Sequence, residues 1–209
     1  DQWSLVYAYA INAAMDGVPM MFYGQENGAQ NDAGEYGTRT DFASGISANN
    51  NFARYESNFS KSIPHFKRYN HMTNIWNATW SADIRAAYGR FNAARANSPA
   101  LRSQQNYFLA DSTSGAWNPD IFAVAKIQQA GVSAATQDVV FAFINNNFRS
   151  NYVRAGSFRL NATNAAGANW FGIQPTHVYN VVDLAATNPT TLLWGGGITG
   201  STLIANGIY

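Results

Sequence analysis

Apolar residues recur every three or four positions in two stretches of the chain. The first stretch covers residues 1–16 and the second covers residues 81–97. This spacing places apolar side chains on one face of a helix, so we predict a helix over each stretch. Ser81 is a suitable N-cap for the second helix, and Pro99 ends it because proline cannot continue a helix.

An unbroken apolar run follows the first predicted helix. Residues 17–26 read Gly-Val-Pro-Met-Met-Phe-Tyr-Gly-Gln-Glu. Gly17 permits a turn, and Pro19 belongs at the start of a strand because it cannot donate to a ladder. A run without alternation is typical of a strand buried on both faces of a parallel sheet, so we predict a buried strand over residues 18–24. In an α/β barrel, sites form at the end of the strand where Glu26 lies.

The hydrophobic pattern dissolves over residues 25–80, which are rich in Asn, Gly, Ser and aromatic residues. A connection of this length without regular structure is usually functional or disordered. Its many aromatic residues argue against disorder. We therefore predict an ordered, elaborated loop at the C-terminal face of a barrel.

Beyond Gln104 the pattern becomes extended. Short strand-like runs alternate with clusters of Gly, Asn, Asp and Ser, which predicts an antiparallel sandwich. We expect two domains, with barrel-type α/β structure over 1–103 and the antiparallel β domain over 104–209. The predicted strands cover Ile121 to Ile127, Val139 to Ile144, Ser157 to Leu160, Val178 to Leu184, Thr191 to Trp194 and Leu203 to Tyr209.

Composition narrows the class of partner. The chain has a formal net charge of +1 and only 12% charged residues, so it lacks the basic field that attracts nucleic acid or anionic lipid. It contains no cysteine, which excludes disulfides, thiolate metal sites and cysteine nucleophiles. No apolar run approaches the roughly 18 residues of a membrane-spanning helix. We expect neither nucleic acid nor membrane as a partner.

Five residues of the apolar run carry a family resemblance. Gly17, Pro19, Tyr23, Gly24 and Glu26 resemble the last barrel strand of the α-amylase family of glycoside hydrolases. A second match lies downstream, where Arg95 and the sequence Ser-Pro-Ala-Leu-Arg over residues 98–102 resemble the end of the final barrel helix. The β domain is similar to the one that follows the barrel in that family, with residues 141–146 in the place of a strand ending in Asn.

The resemblance implies a fold class and a function. The chain would be the C-terminal segment of a (β/α)₈ barrel followed by an antiparallel β-sandwich, in an endo-acting α-1,4-glucan hydrolase of starch or glycogen. The family uses a retaining mechanism with two carboxyl groups. These come from barrel strands that precede Asp1, so we assign no catalytic residue to this chain and expect it to be inactive alone.

The resemblance also implies partners and a location. We expect a fragment or a nicked chain, with the N-terminal portion of the same enzyme as partner and an α-glucan as substrate. We expect no cofactor within this chain, whereas calcium is possible in the complete enzyme. A secreted, extracellular or periplasmic location is expected.

Substrate-binding residues are predicted in the long loop. Asp32 with Arg39 resembles a pair that grips a glucose unit in related α-amylases, and a carboxylate with a planar guanidinium suits sugar hydroxyls. Tyr36 and Trp76, with Tyr55 and Trp80 as further candidates, could present ring faces to sugars. Glu26 is either a site acid or a structural anchor, and we favour the anchor.

The histidines do not indicate a metal site, and two other classes of function stay open. His65, His71 and His177 lack carboxylates at a metal-ligand spacing, so we assign no metal ligand. A non-catalytic carbohydrate-binding or structural β-sandwich module is the alternative from another class. A transglycosylase or isomerase of the same family also stays open.

Overall fold

The structure is a computed structural model of the chain. Contacts divide it into a first unit of Trp3–Met20 with Ala87–Tyr209 and a second unit of Met21–Ala86. Most of the second unit lies outside the described residues, so the account below concerns the first. The described residues are 2–21, 26, 79–128, 132–133, 136–146 and 156–209.

Four helices occur in the described residues. Helix α1 spans Gln2–Ala14, α2 spans Thr79–Asn97, α3 spans Pro99–Arg102 and α4 spans Gly200–Asn206. Both predicted long helices are confirmed, although α2 starts at Thr79 and so takes two residues from the predicted loop over 25–80. No helix in this part of the chain is long and apolar enough to cross a membrane.

The long helices meet through tyrosines. Tyr9 of α1 and Tyr88 of α2 are buried and stack with ring centroids 3.9 Å apart. The Tyr9 hydroxyl donates to Asn92 Oδ1 at 2.6 Å, and the Tyr88 hydroxyl donates to the Leu5 carbonyl at 3.0 Å. Buried tyrosines need such partners, so these contacts fix how α1 lies on α2.

Helix α3 shows a second use of Pro99. Proline ends α2 as predicted, and it then occupies the first turn of α3, where its missing N–H is not needed. Ser98 is the N-cap, and its side chain accepts a hydrogen bond from the Leu101 N–H at 3.2 Å.

A three-stranded antiparallel sheet follows the helices. Strands β1 at Gln105–Phe108, β2 at Ile121–Ile127 and β3 at Val139–Asn145 lie in the order β1-β2-β3. In this register Ala125 lies between Tyr107 and Phe141. The predicted strands over 121–127 and 139–144 are confirmed, as is their antiparallel character.

The two faces of β2 have different environments. Side chains alternate along a strand, so Ile121, Ala123, Ala125 and Ile127 share one face. That face joins the hydrophobic core of the unit. Lys126 and Val124 point to the opposite face, and both are fully buried. The other core residues are Leu109, Phe158, Leu160, Phe171, Ile173, Leu203 and Ile208.

The C-terminal segment covers the core with little regular structure. A two-stranded antiparallel ladder pairs β4 at Val178–Tyr179 with β5 at Ile198–Thr199. The predicted strands over 157–160, 178–184 and 191–194 reduce to this short ladder and to single bridges at Phe158, Val182 and Leu192. Frequent Gly, Asn and Pro turns interrupt longer pairing. The described residues therefore contain a three-stranded and a two-stranded antiparallel sheet. Their antiparallel character is as predicted, and the packing of two sheets as a sandwich stays a prediction.

The predicted strand over 203–209 is also wrong. Residues Gly200–Asn206 form helix α4, with Thr199 as N-cap and Gly207 as C-cap. Only Ile208 pairs, with Phe158. The capping residues favour a helix here, whereas the short apolar run alone did not distinguish helix from strand.

The predicted buried strand over 18–24 is wrong for the residues that can be described. Residues 18–21 are not in a strand, and Val18 and Met20 are 85% and 80% exposed. A parallel strand is buried by neighbours on both sides, and no described strand pairs with this segment. Residues 22–24 lie outside the described residues, and no closed barrel occurs in the described ranges.

Candidate functional site

The predicted sugar-binding residues all lie outside the described residues. These are Asp32, Tyr36, Arg39 and Trp76. The motif residues Tyr23 and Gly24 also lie outside the described residues. Trp80 belongs to α2. The motif residues Gly17, Pro19 and Glu26 are described, and Pro19 and Glu26 are half-buried. The structure therefore describes the segment by which the chain enters the predicted site.

This entry segment, residues 16–21, is held by side chains from elsewhere in the first unit. Gly17 has a φ of 89°, which favours glycine at the turn that ends α1. The Asn12 Nδ2 group donates to the Met20 carbonyl at 3.1 Å. This hydrogen bond joins the residues after the turn back to α1.

Arg95 of α2 donates hydrogen bonds to several backbone carbonyls around this turn. Its Nη1 donates to the carbonyls of Ala13 at 2.9 Å and Met15 at 3.2 Å, and also to that of Leu101. Its Nη2 donates to the Gly17 carbonyl. The last carbonyls of a helix lack hydrogen-bond donors within the helix. The Arg95 guanidinium is the donor for such carbonyls at the end of α1.

Burial affects the charge of Arg95. The side chain is 8% exposed, and this burial, together with the positive charge of Arg102, lowers the pKa of its guanidinium. Arginine still carries its proton at neutral pH. Arg95 is thus a buried cation that is satisfied by backbone carbonyls.

A second cation fixes the residue before the turn. Lys126 Nζ donates to Asp16 Oδ1 at 2.6 Å and to the Ser103 carbonyl at 2.7 Å. The Asn106 Nδ2 group lies 3.1 Å from each carboxyl oxygen of Asp16. The hydrogen bond from Lys126 is the main cause of a lowered Asp16 pKa.

We call Asp16, Arg95, Asn106 and Lys126 the anchoring cluster. Its charged groups are occupied by one another or by backbone carbonyls, so it does not present a free acid or base. Its geometry serves to position the entry segment relative to the sheet and helices of the first unit.

Asp111 forms a separate polar turn between β1 and β2. Its Oδ1 accepts from the N–H groups of Thr113 at 2.9 Å and Ser114 at 3.0 Å, and its Oδ2 accepts from Asn118 at 3.0 Å. The hydrogen bond from Asn118, followed by those from the two backbone groups, lowers the pKa of Asp111. This arrangement stabilises a loop and leaves the carboxylate no catalytic task.

A cleft of about 910 Å³ opens within the first unit. The alanine face of α1 lines it on one side, and β3 and the C-terminal segment line it on others. Its size falls in the range of small-molecule sites. Most lining residues are apolar, and polar side chains include Asn180 and Asp183.

The residues that can be described contain no cluster of three or more His, Asp or Glu side chains suited to a metal ion. His177 is exposed and lies beside Tyr179, with ring centroids 6.3 Å apart. His65 and His71 lie outside the described residues.

No protein-family model, no curated protein and no solved structure matches this chain. The functional interpretation therefore depends on the residues and on their geometry.

The sequence interpretation missed most of the anchoring cluster. Lys126 was a visible signal, because it is the one charge in the apolar run Ile121 to Ile127. Arg95 follows the apolar face of α2 one position after Ala94. A lone cation within an apolar pattern indicates a buried partner, although it does not name that partner.

Proposed function

We propose that this chain is the C-terminal part of an endo-acting α-1,4-glucan hydrolase of the α-amylase type. It would supply helices α1 and α2 with the motif segment between them, an α-glucan-binding loop and a β domain. The acid, the nucleophile and the stabilising carboxylate would come from residues outside this chain. The carrying observation is the motif over residues 17–26, followed in order by α2, the Ser98–Arg102 segment and an antiparallel sheet.

The entry segment supports this proposal through an unusual combination of order and exposure. Its backbone is held by Arg95 and Asn12, whereas the apolar side chains of Val18 and Met20 face solvent. Val18, Met20 and Met21 are exposed apolar residues close together in the chain, and an exposed apolar patch is typical of an interaction surface. Neighbouring barrel strands from the N-terminal portion of the enzyme are the partner that would bury them.

The role of the chain in catalysis would be to bind and orient the glucan. In a retaining glycosidase two carboxyl groups about 5 to 5.5 Å apart carry the chemistry. Asp32 would accept hydrogen bonds from sugar hydroxyls, and Arg39 would donate to them. Holding the substrate in place lowers the entropic barrier at the distant reacting bond. No cofactor is proposed within this chain, and calcium belongs to the proposal for the complete enzyme.

A non-catalytic carbohydrate-binding module is the second candidate. The observation that favours it is the hydrophobic core formed by residues beyond 104, from Leu109 to Ile208, together with exposed aromatic rings on the C-terminal segment. Starch binding retained without hydrolysis in any assembly of the enzyme supports this candidate. Transglycosylation and isomerisation share the proposed binding loop and differ in residues that act on the acceptor.

Affinity electrophoresis of the full chain in gels that contain soluble starch tests the proposed binding loop. Asp32→Ala and Trp76→Ala should each weaken starch binding by roughly tenfold, the equivalent of one lost charged hydrogen bond or aromatic contact. Trp117→Ala is the matched control, because Trp117 is 74% exposed on the other predicted domain.

The same samples should release no reducing sugar from starch, because the catalytic carboxylates are proposed to lie elsewhere. Unchanged retardation of both loop variants would exclude the binding loop. Turnover by the chain alone would place catalytic carboxylates within it.

A further inference from the structure

Trp194 has a backbone conformation that bulky residues avoid. Its φ and ψ are 54° and 24°, in the left-handed region, and it is the only non-glycine residue with positive φ in the described part of the chain. Three glycines with positive φ follow it, at 195, 196 and 197. Such strain in a bulky residue persists only where the surrounding structure imposes it, and it concentrates at functional sites.

The surrounding contacts do impose it. Leu192 pairs with Val182, and the Leu193 N–H donates to the Val181 carbonyl at 2.8 Å. On the other side of Trp194, the Gly197 N–H donates to Asn180 Oδ1 at 3.2 Å. The ladder of β4 and β5 continues directly beyond this point. The loop is therefore tied on both sides of the strained residue.

The conformation holds the Trp194 ring on the surface beside a second aromatic ring. Trp194 is 40% exposed and Tyr209 is 72% exposed. Their ring centroids lie 5.4 Å apart, with planes inclined by 36°. Together the two rings make a continuous, slightly bent aromatic surface, and both line the cleft of the first unit.

Asn180 lines the same cleft as the two rings, and each ring carries a polar group of its own. In the part of the chain that the structure describes, no hydrogen bond engages the Trp194 indole N–H, the Tyr209 hydroxyl or the Asn180 Nδ2 group. Asn180 is exposed, and its amide lies against Gly196 and Gly197. A flat apolar surface with unpaired donors at its edge suits a sugar, which has an apolar ring face and hydroxyls around its rim.

We propose that Trp194, Tyr209 and Asn180 form a carbohydrate-binding surface, the Trp194 platform, in addition to the predicted binding loop at residues 25–80. The assignment of an α-1,4-glucan as its ligand rests on the proposed function. The two rings pack against consecutive sugar faces, and Asn180 donates to a hydroxyl. An apolar protein segment is a poorer fit, because it would leave these polar groups buried without partners.

Trp194→Gly is the informative variant, because glycine adopts the same backbone angles without strain and lacks the ring. In affinity electrophoresis of the full chain through amylose gels, we expect binding to weaken by roughly tenfold, the equivalent of one lost aromatic contact. The thermal midpoint of unfolding should stay equal or rise, which separates lost binding from lost folding. Trp194→Phe should retain most of the binding, and Trp117→Ala should retain all of it.

Three results distinguish the Trp194 platform, its α-glucan ligand and the predicted binding loop from one another. Unchanged amylose binding by Trp194→Gly, with binding lost in Trp76→Ala, contradicts the platform and leaves the proposed function standing. Loss of binding to cellulose or xylan rather than to amylose in Trp194→Gly contradicts the α-glucan assignment. Loss of amylose binding in Trp194→Gly with the Trp76→Ala variant unaffected supports the platform and contradicts the loop.

Discussion

At the scale of single residues, Arg95 joins α1, the turn after it and α3 through one side chain. One guanidinium serves carbonyls at the end of α1, in the following turn and in α3. Its removal leaves several backbone acceptors without a partner in a buried place. The cost of such unpaired groups exceeds the value of the hydrogen bonds themselves.

We predict that Arg95→Ala lowers the free energy of unfolding by about 2–4 kcal/mol. Arg95→Lys should recover only part of this loss, because an ammonium lacks the planar fork that reaches several carbonyls. Arg102→Ala is the control, since Arg102 is exposed and caps α2 where water can replace it. Urea unfolding measures all three. Equal stabilities of Arg95→Ala and Arg102→Ala would contradict the role assigned to Arg95.

The lowered pKa of Asp16 predicts that the stability of the protein changes at acid pH. The hydrogen bond from Lys126 lowers the pKa of Asp16 below the ordinary value of 3.8. A carboxyl group with a lower pKa in the folded state contributes stability above its unfolded pKa, and the contribution is lost as pH falls through the folded pKa. The contribution should therefore be complete at pH 7 and should decline below about pH 4.

Asp16→Asn should destabilise the protein at pH 7 by on the order of 1 kcal/mol, a modest value because the Asp16 side chain is 42% exposed to screening solvent. The difference from the wild type should narrow as the pH falls below 4, because the wild-type carboxylate becomes protonated. Unfolding free energies measured from pH 7 to pH 2.5 test this. A difference that stays constant over this range would show that the charge of Asp16 is not the cause.

Sequence patterns predicted elements that carry these residues and could not pair the residues themselves. The run over 121–127 predicted a strand, and the structure shows that Lys126 within it is buried. Its partner Asp16 lies 110 positions away. Periodicity reports which face a residue occupies, whereas long-range pairing depends on tertiary packing that no local pattern contains.

At the scale of elements, the end of α4 gives a sharp steric prediction. Gly207 has a φ of 73°, and a Cβ there would lie 2.0 Å from the Phe158 carbonyl oxygen. Gly167 has a similar φ of 77° and no atom near the same position. The pair separates the cost of a left-handed backbone from the cost of a clash.

Gly167→Ala should cost about 1 kcal/mol, from the backbone alone. Gly207→Ala should cost about 2 kcal/mol more, because the added methyl group displaces the backbone that pairs Phe158 with Ile208. Thermal and urea unfolding of both variants provide the values. Similar losses in the two variants would mean that α4 shifts freely against residue 158.

Elements with strong local patterns were predicted well. Helices α1 and α2 have a helical period, and strands β2 and β3 are short apolar runs bounded by turn residues. The run over 203–209 was too short for its period to distinguish a helix from a strand. The capping residues Thr199 and Gly207 favour the helix that the structure shows. The run over 18–24 has the composition of a buried strand, but burial requires neighbours, and composition cannot supply them.

At the scale of the whole molecule, the first unit combines helices with a three-stranded and a two-stranded antiparallel sheet. The resemblance at residues 17–26 predicted the site in a segment that lies outside the described residues. The structure adds to it a fixed entry segment and an exposed aromatic platform. The platform lies next to the ladder of β4 and β5, so its proposed sugar-binding groups have the rigid support that binding sites require.

Isothermal titration calorimetry of the full chain with maltoheptaose, set against cellohexaose, tests the α-glucan assignment most directly. Both ligands are linear chains of glucose, with seven and six units respectively, and they differ in linkage, so nonspecific binding of sugars affects both to nearly the same extent. We predict saturable binding of maltoheptaose that is at least about tenfold tighter than that of cellohexaose, a difference of about 1.4 kcal/mol. Equal affinity for the two, or binding of cellohexaose alone, would contradict the account.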